Sequence, residues 1–171
     1  SKGGPKRPKI IYFIGCKNVR VQDVTLRNSA YWTQDYEKCD GVVIRGVKVY
    51  SHVNWNNDGL DIDSRNVVIS DCYIDCDDDA LCLKSDIDTP CENVTVTNCV
   101  LKSNCNAIKF GTSSYSGFKN ITILNCTIDR ASEDHIRQWY NNYPWIGTTW
   151  KTAVAGIALE SVDGGIIENI S

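Results

Sequence analysis

Cys91-Glu-Asn-Val-Thr-Val-Thr-Asn-Cys-Val-Leu returns further along the chain as Phe118-Lys-Asn-Ile-Thr-Ile-Leu-Asn-Cys-Thr-Ile. Both set an Asn before a β-branched residue, alternate apolar with polar positions, and close on an Asn-Cys step. Ser64-Arg-Asn-Val-Val-Ile-Ser-Asp-Cys-Tyr-Ile stands ahead of the first by the same interval. Cys39-Asp-Gly-Val-Val-Ile-Arg-Gly-Val-Lys-Val and Cys16-Lys-Asn-Val-Arg-Val-Gln-Asp-Val-Thr-Leu extend the series towards the start. The Asn or Gly ahead of each first β-branched residue falls at 18, 41, 66, 93 and 120, in steps of 23, 25, 27 and 27. Such self-similarity marks a repeat architecture.

Alternation with a period of two is strand periodicity, and no helical stripe of useful length separates the units. One strand set per step, without helices, predicts the coils of an all-β, right-handed parallel β-helix. A β-sandwich would need hairpin signals between the runs, and few occur. Asn at each turn suits a left-handed backbone, and its amide can ladder from coil to coil. The whole chain, 1–171, reads as one such domain. A sixth copy opens at Glu168-Asn169-Ile170 and breaks off at Ser171. The expectation is therefore a stretch of central coils without its flanking ones.

A net charge of −3 offers no basic footprint for nucleic acid. No run of 18 apolar residues occurs, so no membrane-spanning helix is expected. Ser1-Lys2-Gly3-Gly4-Pro5 has no apolar core of a signal peptide. Nine cysteines could make four disulfides and one spare thiol, but Cys72, Cys99 and Cys126 recur in step with Asn66, Asn93 and Asn120. Stacked coils would place those three in one internal file of reduced thiols. With no CxxC and only His52 and His135 as histidines, no metal is expected.

A second strand set lies half a coil later: Gly59-Leu-Asp-Ile-Asp63, Ala80-Leu-Cys-Leu-Lys84, Ala107-Ile-Lys-Phe-Gly111 and Gly156-Ile-Ala-Leu-Glu160. Leu60, Leu81, Ile108 and Ile157 should stack inward, as should Ile62, Leu83, Phe110 and Leu159. Asp61, Cys82, Lys109 and Ala158 should then share one outward surface with Asp63, Lys84, Gly111 and Glu160. Just ahead of these strands stand Asn56-Asn57-Asp58, Asp77-Asp78-Asp79 and Cys105-Asn106. Coils about 4.8 Å apart would bring Asp58, Asp78 and Asp79 to one edge of that surface. Clustered carboxylates raise one another's pKa, which sets a proton donor beside an ionised base, as glycosidic cleavage requires. An ordinary acidic turn, or a calcium site of Asp75, Asp77 and Asp79, is the competing reading.

These motifs resemble glycoside hydrolase family 28, the polygalacturonases and their relatives, over nearly the whole chain. Asn28-Ser29-Ala30-Tyr31-Trp32 is similar to the family's Asn-Ser-Pro-x-Trp. Asn56-Asn57-Asp58 is similar to its Asn-Thr-Asp, and Asp78-Asp79 with the strand to Lys84-Ser85 to its Asp-Asp motif. The resemblance implies an inverting hydrolase of a pectic or related plant-type polysaccharide, secreted or periplasmic, monomeric and free of cofactors. It implies that Asp78 protonates the leaving oxygen while Asp58 and Asp79 hold and deprotonate the water, with carboxylates about 6.5–9.5 Å apart across the bond. Asn56, Lys84, Asn106, Lys109 and Glu160 would contact substrate, as would Arg137 and Trp139. Two motifs depart: Asn106 stands in place of the family's histidine, and Ala158-Leu159-Glu160 in place of its Arg-Ile-Lys. Glu160 should repel a uronate, and Lys109, one coil earlier, could take over the lost cation's part or simply pair with a neighbouring carboxylate.

Between Asn120 and Asn169 the step is 49, so one coil carries an insertion, about 131–152. It holds His135, Arg137, Trp139, Tyr140, Tyr143, Trp145 and Trp150. It could wall the site with aromatics, Trp139 stacking on sugar and Arg137 meeting an anion, or pack on itself as an Ω-loop. Two other functions compete: a calcium-dependent polysaccharide lyase with Lys84 or Lys109 as base, and a glycan-binding β-helix without activity.

Overall fold

A computed structural model describes residues 7–133 and 155–171. His135, Arg137, Trp139 and nearly all of the insertion lie outside the described residues. The first coil holds β1 (Ile11–Ile14), β2 (Lys17–Gln22) and β3 (Thr25–Arg27), and the second β4 (Gln34–Arg45) and β5 (Lys48–Ser51). The third holds β6 (Leu60–Ser70) and β7 (Tyr73–Cys76), and the fourth β8 (Leu81–Ser85), β9 (Cys91–Thr97) and β10 (Val100–Ser103). Then come β11 (Asn106–Ser114), β12 (Phe118–Leu124) and β13 (Thr127–Arg130), and after them β14 (Ala155–Leu159) and β15 (Ile167–Ile170). Every pairing is parallel and runs between successive coils, so the fold is the expected right-handed parallel β-helix. No helix occurs among the described residues.

The repeat becomes register. Val19, Val42, Val67, Val94, Ile121 and Ile170 stack as one row, and Leu26, Val49, Ile74, Leu101 and Ile128 as another. Phe13, Tyr36, Ile62, Leu83, Phe110 and Leu159 make a third. Burying one such side chain is worth about 1.5–3 kcal/mol, so each coil is glued by its neighbours' apolar rows. The long step after Asn120 is accommodated without breaking register, because Ile121 still faces Ile170. Ile157 and Leu159 keep theirs against Ile108 and Phe110, yet are 55% and 56% exposed. The expected inward burial of this pair is not found, since no described residue covers their far side.

The turns behave as the Asn pattern requires. Asn18, Asn66, Asn93, Asn120 and Asn169 all have φ between 53° and 57°. Asn93 donates to Asn66 Oδ1 at 3.0 Å, Asn120 to Asn93 at 3.1 Å and Asn169 to Asn120 at 2.7 Å. Gly41 takes this turn in the second coil, where a Cβ would sit 3.2 Å from Asn18 Oδ1. All nine cysteines are free. Cys72 and Cys99 are buried in one internal file, as expected, while Cys126, next in that file, is only half-buried.

In the second and third coils two strands run on into one another. Ser64 bridges the shift in register there, donating to Tyr36 O at 2.7 Å and accepting from Cys39 N at 3.0 Å. In the fourth coil Asp86-Ile87-Asp88-Thr89-Pro90 separates β8 from β9, and Pro90 has no N–H to lend to a ladder.

Candidate active site

The strands β4, β6, β8 and β11 lay down the floor of a cleft of about 490 Å³. Asp35, Asp61, Cys82, Lys109 and Ala158 form its central outward row, in register from coil to coil. The expectation that this whole row meets solvent fails at Asp61 and Cys82, which have no exposed surface. Lys84 covers both, its Nζ 2.7 Å from Asp61 Oδ1 and 2.9 Å from Cys82 Sγ. Trp32 closes the other side, with the Lys84 ammonium 4.4 Å and the Lys9 ammonium 4.6 Å from its ring centre.

Asp58, Asp78 and Asp79 all line this cleft, at the edge where their strands begin. Gly59 fixes the place of Asp58: a Cβ there would lie 2.2 Å from Ile74 Cγ2 and 2.7 Å from Ala80 O, so only glycine fits between the coils. Asn57 accepts from Asp78 N at 3.1 Å and donates to Asn54 O at 2.6 Å, pinning the Asp78 loop to the coil before. Asp79 Oδ1 accepts from Asn106 N at 3.1 Å and Asn106 Nδ2 at 2.7 Å, while Oδ2 lies 3.4 Å from the Lys109 ammonium.

Burial, then the neighbouring Asp79, pushes Asp78 up to about 6. Burial, with Asp61 and Asp78 behind it, carries Asp58 well above the usual carboxylate range. Asp61 is pushed up to about 7 by burial against the opposing pull of Lys84. One oxygen of Asp58 and one of Asp79 approach within 4.8 Å, and so do one of Asp78 and one of Asp79. These close approaches are topological, because Asp78 and Asp79 adjoin in sequence and Asp58 sits one coil away.

Asn56 lines the cleft and its Oδ1 accepts from Arg7 Nη2 at 3.2 Å. Lys84 and Lys109 line it as well, but Glu160 stands at the rim, 3.8 Å from Lys109 and accepting from Thr112 Oγ1 at 3.3 Å. Lys109 thus both faces the cleft and pairs with carboxylates. The sequence pattern does not single out Lys9, Trp32, Asp35, Asn57 or Asp61 as site residues. Trp32 is within its reach, since it closes the Asn28–Trp32 motif. Lys9 is not, since its partner Asp35 lies 26 residues away.

The calcium set of Asp75, Asp77 and Asp79 is not assembled. Asp75 is taken by His52 at 2.9 Å and Ser132 N at 2.9 Å, and Asp77 by Asn104 at 3.0 Å. Among the described residues, the sets close enough to hold an ion are Asp58, Asp79 and Cys82, and Asp78, Asp79 and Cys105. Burial pushes both thiols up, so neither supplies a ready thiolate, and hard cations prefer all-oxygen ligands. The lyase base fares no better. Burial favours the neutral amine of Lys84, but Asp61 outweighs it and holds the ammonium form; Asp79 does the same to Lys109.

The family model described as Glycosyl hydrolases family 28 matches residues 1–137. The chain belongs to that family. Over 81 residues it is 32% identical to a protein from Vitis vinifera described as a probable polygalacturonase, a match covering 46% of this chain and 16% of that protein. Its fold matches that of a hyperthermoactive exopolygalacturonase from Thermotoga maritima with a TM-score of 0.73, over 98% of this chain and 35% of the other. At 24% identity that likeness is one of fold. The chain therefore spans about a third or less of either relative's length.

Proposed function

We propose that this chain carries the catalytic centre of an inverting glycoside hydrolase that cleaves a pectic or related plant-type polysaccharide outside the cytoplasm. The observation that carries the reading is the contrast between two adjacent carboxyls. Asp78, pushed up to about 6, can hold a proton for the leaving oxygen near neutrality. Asp79 receives two N–H donors and an ammonium, the contacts of a carboxylate. Oxygens of Asp58 and Asp79 within 4.8 Å of each other are spaced for one water to bridge them, since each hydrogen bond from it spans about 2.8 Å. That water is the nucleophile, with Asp79 as the base and Asp58 fixing its position.

In a retaining enzyme, with carboxyls about 5–5.5 Å apart, Asp79 would instead attack the anomeric carbon itself. The anomeric configuration of the first-formed product, followed by NMR, separates the two. Inversion is expected; retention would replace the water mechanism with the covalent one, and no hydrolysis of any pectic glycan would remove the glycosidase reading.

A further inference from the structure

Three lysines line the cleft, and each is already matched. Lys9 pairs with Asp35, Lys84 with Asp61 at 2.7 Å, and Lys109 with Asp79 at 3.4 Å and Glu160 at 3.8 Å. Seven carboxylates line the same cleft. Beyond the catalytic three and Asp35 these are Glu37, Asp63 and Asp86, along the edge opposite Asp58 and Asp79. Glu37 accepts from Tyr12 Oη at 2.5 Å, and Asp86 from Ser113 Oγ at 2.6 Å. Asp63 is 4% exposed, lines the cleft, and has one long contact, from Asp86 N to its Oδ1 at 3.4 Å. Its other oxygen accepts from no described residue.

A carboxylate oxygen that faces a cleft without a protein donor is open to one from the ligand. A sugar hydroxyl supplies it; a uronate carboxylate cannot, and would bring another acid into a cleft whose three described lysines are already paired. Burial and the facing Asp86 already push Asp63 up to about 7, so this edge resists its own last charge. Ala158 adds nothing cationic, and Glu160 adds another acid at the rim.

We propose, on the glycosidase reading above, that the hexose units seated in this cleft are neutral, with an uncharged group where a uronate bears its carboxylate. Asp63 is the specificity residue, accepting from a hydroxyl of that unit. The cleft is then a site for a carboxylate-free stretch of glycan.

Two polymers of one backbone test this: polygalacturonate, and the α-1,4-galactan made from it by carboxyl reduction. The purified protein should hydrolyse the reduced polymer with kcat/KM about tenfold or more above that for polygalacturonate at low salt, a gap that like charges at this range readily produce. Its migration in affinity gels should be retarded by the reduced polymer and not by the acid one. Asp63→Asn with Asp86→Asn should narrow the gap by improving binding of the acid polymer. Equal or better use of polygalacturonate, or no retardation by the reduced polymer, overturns the proposal. Retardation by the reduced polymer without hydrolysis upholds the inference and counts against the glycosidase reading instead.

Discussion

Asn106 donates its backbone N–H and its side-chain amide to the same oxygen of Asp79, at 3.1 and 2.7 Å. The two residues begin successive strands on neighbouring coils, so the bond pair is built from the stacking itself. In the family this chain belongs to, the resembling motif has a histidine at this place. Here an amide that never titrates aims the carboxylate, so the proposed base is oriented by a permanent dipole pair.

Asn106→Ala should therefore lower kcat about tenfold with a smaller effect on KM, since both of its N–H donors go to Asp79. Asn106→Gln, which keeps an amide donor, should recover part of that loss. A fall in thermal stability with unchanged kcat would reduce Asn106 to a structural residue.

On the proposed mechanism Asp78 governs the alkaline limb of the pH–rate profile. With its pKa pushed up to about 6, the fraction able to donate a proton falls as pH rises through that value. The kcat/KM of the wild-type protein should decline above about pH 6 on this account. Asp78→Asn keeps the size, loses the proton, and should lose about 10²–10⁴ in rate while still binding glycan. The residual activity should no longer show that limb. Near wild-type turnover by Asp78→Asn would remove it as the acid.

The parts of this molecule legible in sequence are those that recur. The period of 27 between Asn66, Asn93 and Asn120 sets the register of one strand set, and the pairing of Leu60 with Leu81 in the other carries Asp58 and Asp79 to one edge. The Asn ladder and the file of Cys72 and Cys99 come from the same spacing. What escapes is anything decided by depth. Alternation says that Asp61 and Cys82 face outward, but not that Lys84 folds back over both. Lys9 and Asn57 act from irregular segments, where no period constrains them.

The Asn ladder makes a stability prediction. Asn120 has φ 53°, donates to Asn93 and accepts from Asn169. Asn120→Ala loses both bonds and puts a Cβ-bearing residue without a local hydrogen bond in a left-handed turn. A cost of about 2–4 kcal/mol is expected, from roughly 1 for the backbone and 0.5–1.5 for each of the two bonds. Asn120→Gly relieves the backbone share, so chemical denaturation of the two variants should separate the terms. Equal losses would mean the turn is unstrained.

Lys84 and Asp61 yield a pH-dependent stability. Burial raises Asp61 to about 7, opposed by Lys84, so the folded protein binds this proton more tightly than the unfolded chain does. The associated stability is present at low pH and is lost as pH rises through about 7. Lys84→Ala removes the only ammonium within 4 Å of Asp61 among the described residues, which pushes the Asp61 pKa higher still. Near pH 5 Asp61 is protonated in both proteins, and the substitution should cost little beyond packing over Cys82. Near pH 8 the wild type has an ion pair, while the variant must bury a lone carboxylate or keep it protonated. Breaking a buried pair from one side costs about 3–5 kcal/mol when the charge remains, so the loss should approach roughly 3 kcal/mol there. Thermal melts of both proteins at the two pH values read this directly. A gap that does not widen with pH would show that Asp61 stays neutral beneath Lys84 throughout.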